Sequence, residues 1–171
     1  LHVDLTGPHP PSRQESVYIL TAIDAYSRYL ICAPLKNKCA LTVASTLAEY
    51  VFLPHGSFRV LVSDQGREFC NEILESVTTL LGIRKLRTTV YRPAANGRIE
   101  RVHRTINGLL SKVVSENQKD WQNKLPFITA AYNAAEHTST GYAPYYLVYG
   151  REYCTPLELT MQVPSASYGA T

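Results

Sequence analysis

The sequence predicts a mixed α/β sheet with helices packed on its faces, and three observations support this fold class. Strand-like segments come first and in succession, whereas helical and strand-like segments alternate from about residue 40 onward. Hydrophobic residues make up 45% of the 171 residues and charged residues 18%, which suffices for one globular core. We therefore expect one folded domain over residues 1–161 and a loose polar tail over residues 162–171.

The first 35 residues predict three strands. Residues 1–7 alternate in polarity and then meet Gly-Pro, which predicts a strand that contains Asp4 and ends in a turn. Residues 16–35 hold two apolar, β-rich runs joined by residues 24–28, which predicts a hairpin. We expect Asp24 to accept backbone hydrogen bonds in the connecting turn.

A helix and a buried strand are predicted next. Residues 40–53 have helical spacing and stop before Pro54. The apolar face of this helix is predicted to consist of Leu41, Ala44, Leu47, Ala48 and Val51. Residues 59–64 form a short, nearly continuous apolar run, which is typical of a strand buried on both faces, and Asp64 lies at its carboxyl end.

A second helix and a fifth strand follow. Residues 69–81 predict a helix that stops at Gly82. Its apolar face is predicted to consist of Phe69, Ile73, Val77 and Leu80. Residues 83–90 predict the fifth strand.

The longest predicted helix covers residues 97–114 and follows a turn at residues 91–97. Its apolar stripe is predicted to be Ile99, Val102, Ile106, Leu109 and Val113. Another face of the same helix is predicted to carry Glu100, Arg104, Asn107 and Ser111.

The last predicted helix covers residues 120–135, with Asp120 as its N-cap and a break or kink at Pro126. Four apolar residues near its start predict core packing, with a dimer contact as the alternative: Trp121, Leu125, Phe127 and Ile128. The sequence does not decide whether residues 141–150 form a short helix or an extended segment.

Basic residues are concentrated between positions 84 and 112. This stretch holds eight basic residues and one acid, a local balance of +7, although the whole chain carries only +3. Such a strip predicts a polyanionic partner, because each phosphate contact releases condensed counterions. A solvated helix face is the alternative explanation.

Other features argue against several classes of protein. The chain has no run of roughly 18 apolar residues and no signal-peptide pattern, so neither membrane insertion nor secretion is indicated. The four cysteines have no zinc-site spacing, which predicts buried free thiols, although spacing alone leaves a secreted protein open. The five histidines form no ligand pattern: His2, His9, His55, His103 and His137. Because the chain begins at Leu1 on a strand-like pattern, we expect it to be a segment of a longer polypeptide.

Three acidic residues stand out by their positions in these elements. Asp4 lies within the first strand, Asp64 ends the buried fourth strand, and Glu100 lies off the apolar stripe of the long helix. If the first and fourth strands are neighbours, the two aspartates meet and the helix can bring the glutamate. Three acids so close raise one another's pKa values, so the cluster predicts bound Mg²⁺ or Mn²⁺. Taken singly, each acid also has a structural explanation, as a strand-end hydrogen bonder, a turn residue or a helix-dipole acid.

Five stretches of the chain carry a family resemblance. They are HVDLTGP around Asp4, YILTAIDAYSR at 18–28, SDQGREF at 63–69, RPAANGRIER at 92–101, and residues 120–151. Together these stretches resemble the catalytic core of retroviral and gypsy-class retrotransposon integrases, over nearly the whole chain. Asp64 and Glu100 are separated by 35 residues, which is the spacing of that family's Asp, Asp, Glu triad.

The resemblance implies an RNase H-like fold, with a five-stranded mixed sheet flanked by α-helices. It also implies a metal-dependent polynucleotidyl transferase that performs 3′-end processing of element DNA and then strand transfer into target DNA. The implied catalytic residues, which would bind two Mg²⁺ or Mn²⁺ ions, are Asp4, Asp64 and Glu100. Contacts to double-stranded DNA are expected from Arg92, Asn96, Arg98, Arg101 and Arg104. The Pro-Asn-Gly turn would let the glutamate move in when DNA arrives.

The resemblance has further implications for partners and location. Integrases of this kind act as dimers or higher multimers and carry an N-terminal zinc-binding and a C-terminal DNA-binding domain, both absent from this stretch. Action in the nucleus, after a cytoplasmic particle stage, is expected. No membrane partner is expected.

Two positions depart from the family pattern, and two alternatives stay open. Ala94 and Arg98 replace amide or lysine side chains that are common in related integrases, which puts detailed contacts to DNA ends in question. One alternative is a host-domesticated protein that binds DNA or protein without catalysis, although the intact triad argues against it. The other is an RNase H-type nuclease that cuts RNA in hybrids, which the downstream gypsy-like segment disfavours.

Overall fold

Five strands form one mixed sheet in a computed structural model, which describes residues 1–87, 93–114 and 119–155, with the side chains of 93–100 left out. The strands are β1 (His2–Thr6), β2 (Tyr18–Ile23), β3 (Leu30–Leu35), β4 (Val60–Ser63) and β5 (Arg84–Arg87). The helices are α1 (Ala40–Leu47), α2 (Leu53–His55), α3 (Glu72–Leu80), α4 (Pro93–Val113), α5 (Trp121–Ala134) and α6 (Pro144–Tyr149). The order across the sheet is β3-β2-β1-β4-β5, so β1 is central.

Strand pairing includes the predicted hairpin of β2 and β3. β1, β2 and β3 pair antiparallel in sequence, whereas β4 pairs parallel to β1 and β5 pairs parallel to β4. The hairpin turn is closed by Asp24, whose Oδ2 accepts hydrogen bonds from the backbone N–H groups of Ser27 at 2.7 Å and Tyr26 at 3.1 Å. The predicted structural role of Asp24 is therefore confirmed.

The sheet has a hydrophobic core on each face. One core packs the β1 residue Val3 and the β2 residue Leu20 against α1 and α3. The other packs the β2 residue Ile19 against α4 and α5, with Ile106 fully buried at its centre. Because side chains alternate along a strand, Asp4 and its neighbours at positions 2 and 21 lie on the α4 side of the sheet.

The first helix does not stop before Pro54 as predicted. A π-helical turn at Ala48–Phe52 links α1 to α2, and the helical run ends at Gly56, whose φ is 79°. The wider turn brings Pro54 into the first turn of α2, where its missing N–H group costs no hydrogen bond. The predicted face is also partly wrong: Leu41 is 69% exposed, while Val43 is buried in its place.

The predicted apolar face of α3 is partly wrong: Phe69 is buried and Val77 is partly buried against the core, but Ile73 and Leu80 are exposed. The helix begins after Asn71, whose side chain caps it by accepting a hydrogen bond from the N–H group of Leu74 at 2.9 Å. Leu74 is fully buried, whereas Ile73 is 41% and Leu80 is 87% exposed. The actual face is rotated by one residue from the predicted one, because Phe69 precedes the helix and does not share its phase.

Helix α4 begins at Pro93, four residues earlier than predicted, so the predicted mobile turn at residues 91–97 is wrong from Pro93 onward. Proline is favoured in the first turn of a helix, where its N–H group has no partner to lose. Val102 and Ile106 are buried as predicted, but Leu110 completes the stripe and Val113 is 47% exposed.

The C-terminal elements settle two open points. In α5, Trp121 is buried and its Nε1 donates to the carbonyl of Pro10 at 2.8 Å, but Phe127 is 75% exposed and does not join the core. Residues 141–150 include the short helix α6.

The four cysteines are free thiols, and Cys39 and Cys154 are exposed, contrary to the prediction of burial. The predicted tail at 162–171 lies outside the described residues.

Candidate active site

Asp4 and Asp64 are brought together by the parallel pairing of β1 with β4. His2 is paired with Val62, and Asp4 and Asp64 each lie two residues further along; the charge of Asp64 raises the pKa of Asp4, so the two carboxylates lie near each other. The expectation that the first and fourth strands are neighbours is thus confirmed. Asp4 lies inside the central strand, and Asp64 follows the last residue of β4.

The environment of Asp4 disfavours its ionised form. Its pKa is raised to about 6, mainly by burial and in part by the negative charges of Asp64 and Glu68, while a hydrogen bond from the N–H group of Leu5 at 2.8 Å and the charge of Lys38 lower it. Within the described part of the chain, the Asp4 carboxylate accepts one backbone hydrogen bond and lies among further acids, so negative charge accumulates there at neutral pH. That charge is a reason to expect a cation at this place.

Glu68 is a fourth acid near the pair, and sequence reasoning missed it. A Cβ atom at Gly66 would lie 2.8 Å from Oε2 of Glu68 and 2.9 Å from Oδ1 of Asp64, so the two carboxylates flank this glycine closely. Oδ1 of Asp64 also accepts a hydrogen bond from the N–H group of Gly66 at 2.9 Å. Glu68 pairs with Lys38 at 3.7 Å, which keeps one cation beside the cluster.

His103 is a second residue that sequence reasoning missed, because it was grouped with histidines that form no ligand pattern. Its Nδ1 lies 3.8 Å from Oδ2 of Asp4, and its Nε2 lies 2.8 Å from the hydroxyl oxygen of Thr21. The Thr21 hydroxyl also donates to the backbone carbonyl of Asp4 at 3.2 Å. The spacing of three between Glu100 and His103 could have indicated a shared helix face.

Glu100 lies on α4, two turns from the start of the helix at Pro93. Its side chain is outside the described set, but α4 packs beside β1 and its residue His103 reaches Asp4. The helix therefore runs past the two aspartates. Whether the carboxylate of Glu100 reaches them stays a prediction.

The five predicted DNA contacts are distributed as follows. Arg92 lies outside the described residues, and Asn96 and Arg98 lie on the helix with undescribed side chains. Arg101 and Arg104 are exposed on α4. Their role in binding DNA stays a prediction.

The described donors fit a hard divalent cation. Two carboxylates lie on neighbouring strands, and a third flanks Gly66, where a Cβ atom would come within 3 Å of the carboxylates of Glu68 and Asp64. Carboxylate oxygens are the ligands that Mg²⁺ and Mn²⁺ prefer. Among the described side chains, no three His, Cys, Asp or Glu residues form a complete metal-binding group, so the third ligand would have to come from outside that set.

Comparison with known proteins identifies the family. Residues 1–93 match the family model described as "Integrase core domain". This chain belongs to that family. The integrase core is 32% identical over 149 residues to the retrovirus-related Pol polyprotein from transposon 412 of Drosophila melanogaster, a match that covers 87% of the chain. It is 35% identical over 134 residues to the Gag-Pol polyprotein of feline leukemia virus, covering 78% of the chain.

These relatives are much longer proteins. The matches span 12% of the transposon 412 polyprotein and 8% of the feline leukemia virus polyprotein. The integrase core is thus similar to one portion of retroviral and transposon Pol polyproteins.

Solved structures show the same fold. The catalytic core domain of BIV integrase matches with a TM-score of 0.67 at 22% identity, covering 94% of this chain and 95% of that one. The HTLV-2 integrase catalytic core domain in complex with magnesium, in a trimeric form, matches with a TM-score of 0.68 at 15% identity, covering 86% and 94%. A simian T-cell lymphotropic virus intasome in complex with PP2A regulatory subunit B56 gamma matches at 0.72 and 18%, covering 99% and 58%. The predicted RNase H-like fold is confirmed.

Proposed function

We propose that the integrase core is a metal-dependent polynucleotidyl transferase that processes the 3′ ends of element DNA and joins them to target DNA. One observation carries the proposal: parallel pairing of β1 with β4 brings Asp4 near Asp64 beside α4, the helix that holds Glu100. Membership of the integrase core family supports it. A binding protein without catalysis would not need this convergence of acids.

Asp4, Asp64 and Glu100 would hold Mg²⁺ or Mn²⁺. The HTLV-2 structure that shares the fold contains magnesium, which supports this choice of ion. The chemistry that two such cations supply is polarisation of a phosphodiester and activation of the attacking oxygen. The carboxylates of this chain would remain ionised in their presence, because a nearby positive charge lowers the pKa of an acid.

Other residues of the chain would position the reactants. His103 and Thr21 hold the backbone and side chain of Asp4 from the α4 side. The predicted DNA contacts would bind phosphates along the exposed side of α4: Arg92, Asn96, Arg98, Arg101 and Arg104. These contacts set the register of the duplex and carry no sequence information by themselves.

Assembly and location belong to the same proposal. Joining two DNA ends requires at least two copies, and relatives of this fold include a trimeric form and an intasome. Further zinc-binding and DNA-binding domains would be supplied by the longer polypeptide, and the reaction would take place in the nucleus. Residues 1–161 would form the catalytic core. None of the described helices is both long and apolar enough to cross a membrane.

The test is strand cleavage and rejoining on a branched duplex that mimics the integration product, because this substrate demands least of other domains. The chain is compared with Glu100→Gln and with Glu136→Gln, a matched change at an exposed residue beyond α5. We expect Mg²⁺- or Mn²⁺-dependent joining that is lost in Glu100→Gln and kept in Glu136→Gln. Equal activity of Glu100→Gln and the wild type would refute the triad assignment. No joining by either this chain or the full-length polypeptide would favour the domesticated binding protein.

A further inference from the structure

A cavity of about 390 Å³ opens beside the start of β1, between the β2–β3 turn, α4 and the segment after α5. This volume lies at the lower end of the range for ligand pockets, about 300 to 1,000 Å³. Two arginines line it, Arg28 from the turn and Arg101 from α4, and no carboxylate does so among the described side chains. The cavity therefore carries an excess of positive charge.

Arg28 is held in the cavity wall by a chain of hydrogen bonds. Its Nε donates to the hydroxyl oxygen of Ser139 at 3.3 Å, and that hydroxyl lies 3.1 Å from Nδ1 of His137. Arg28 also adopts a left-handed backbone conformation, with φ of 65°, which glycine or asparagine would adopt more easily.

The guanidinium groups of Arg28 and Arg101 both lie near the imidazole of His137, as the pKa of that imidazole indicates. Burial lowers the pKa of His137, and the charges of Arg28 and Arg101 lower it further. The N–H group of Ser139 lies 3.3 Å from Nδ1 of His137, so Nδ1 accepts and the imidazole carries its proton on Nε2. His137 thus lines the cavity as a neutral imidazole.

Tyr132 also lines the cavity, and its ring packs edge-on against His137 with 6.3 Å between centroids.

We propose that this cavity binds a phosphate group of the DNA backbone, held by Arg28 and Arg101 beside the neutral imidazole of His137. The inference rests on the proposed function for its ligand, since it names a further contact for the same DNA. A tetrahedral anion matches two guanidinium forks. Free inorganic phosphate shares this chemistry, so the test separates the two sources.

The first arm measures DNA binding without catalysis. A fluorescein-labelled duplex is titrated by anisotropy in EDTA at several salt concentrations with the wild type, Arg28→Gln and Arg59→Gln. Arg59 is exposed just before β4 and provides the same change of charge away from the cavity. We expect Arg28→Gln to weaken binding about 10-fold, as for loss of one charge-assisted hydrogen bond, and to reduce the salt slope by about 1. Equal behaviour of Arg28→Gln and Arg59→Gln would overturn the proposal.

The second arm excludes a folding artefact. Arg28→Gly removes the guanidinium while relieving the left-handed conformation, so it should melt no lower than the wild type and still bind DNA about 10-fold more weakly. A variant that melts at or above the wild-type temperature and binds DNA normally would show that Arg28 has no role in binding.

The third arm distinguishes the two sources of phosphate. The Nε–H resonance of Arg28, assigned by its loss in Arg28→Gln, is followed by NMR during titration with the duplex and, separately, with inorganic phosphate. A shift with the duplex supports the proposal, and a shift with inorganic phosphate alone would limit the cavity to a free anion and overturn it. Because these arms use no metal, a failed joining assay with normal binding results would refute the catalytic proposal and leave this one standing.

Discussion

Two regions on the α4 side of the sheet, centred two residues apart on β1, differ in the charge they collect. Around Asp4 the described neighbours include the acids Asp64 and Glu68, and burial raises the pKa of Asp4 to about 6. Near His2, Arg28 and Arg101 line the cavity. One region has a surplus of negative charge and the other a surplus of positive charge.

Among the described side chains, neither region balances its own charge. Pairing the acids with the arginines would have offset both surpluses, yet the fold keeps them apart on the same strand. A polyanion bound together with divalent cations compensates both at once, because its phosphates meet the arginines and the cations meet the acids. The comparison therefore favours a nucleic-acid substrate that is bound and cleaved at adjacent places.

Removing an acid should have the largest effect. We expect Asp4→Asn to lower joining of the branched duplex by at least about 100-fold, because even changes to partners of metal ligands cost 10- to 100-fold. Asp120→Asn is the matched control, since Asp120 precedes α5 and its side chain makes no capping hydrogen bond. Joining by Asp4→Asn within a few-fold of joining by Asp120→Asn would show that the Asp4 carboxylate is not needed for the reaction.

The same substitution should stabilise the metal-free protein at neutral pH. The folded pKa of Asp4, about 6, exceeds the unfolded value near 3.8, so the folded state binds more protons between these values. The stability contributed by Asp4 is thus greatest below about pH 4 and is lost as the pH rises through about 6, at a cost of at most about 3 kcal/mol. Among the described side chains, the charged or titratable groups that face it are Asp64, Glu68, Lys38 and His103.

Urea unfolding in EDTA tests whether Asp4→Asn raises or lowers the free energy of unfolding. Asp4→Asn should exceed the wild type in free energy of unfolding at pH 7.5 and match it near pH 4. Adding Mn²⁺ at pH 7.5 should reduce the difference, because the ion stabilises only the wild-type carboxylate. A variant that is less stable than the wild type at pH 7.5 without metal would contradict the raised pKa.

Relief of the backbone at Arg28 should have a smaller effect on stability. Arg28→Gly should raise the free energy of unfolding by up to about 1 kcal/mol, since the left-handed conformation costs a non-glycine residue roughly 1 to 2 kcal/mol and glycine loses more entropy on folding. Glu15→Gly is the control, because Glu15 has a φ of 66° and lies outside the cavity. Both variants should gain stability in thermal melts, and only Arg28→Gly should lose affinity for DNA.

The smallest expected effect concerns His137. Its pKa is lowered by burial first and by Arg28 and Arg101 after that, so Arg101→Gln should raise it. An NMR titration of the imidazole measures this change, with Arg104→Gln as a control on the same helix but outside the cavity lining. An unchanged pKa in Arg101→Gln would show that its guanidinium does not face the cavity.

The sequence predicted the elements better than their faces. β1 and the hairpin, together with the position of Asp64 after β4, follow from short apolar runs and turn residues. The faces of α1 and α3 were misassigned at Leu41 and Ile73, because apolar residues at spacings of three and four allow two overlapping stripes. Only the packing partners on the sheet decide which stripe is buried.

The candidate site was also predicted in part. That the first and fourth strands are neighbours was stated as a condition for Asp4 to meet Asp64, and the structure meets it. Glu68 and His103 were missed, because their approach depends on the turn at Gly66 and on the position of α4 beside β1. The cavity at Arg28 and Arg101 joins residues 73 positions apart in the chain, a proximity that no local pattern reveals.

We propose that the acids of β1 and β4 bind a divalent cation and that the neighbouring arginines take no part in binding this cation. The most direct measurement is the fraction of bound Mn²⁺, from the electron paramagnetic resonance signal of free Mn²⁺, in complexes with the branched duplex. We predict that Asp64→Asn weakens Mn²⁺ binding by at least about 10-fold, whereas Arg28→Gln leaves it unchanged at saturating DNA. Equal Mn²⁺ binding by Asp64→Asn and the wild type would contradict the account.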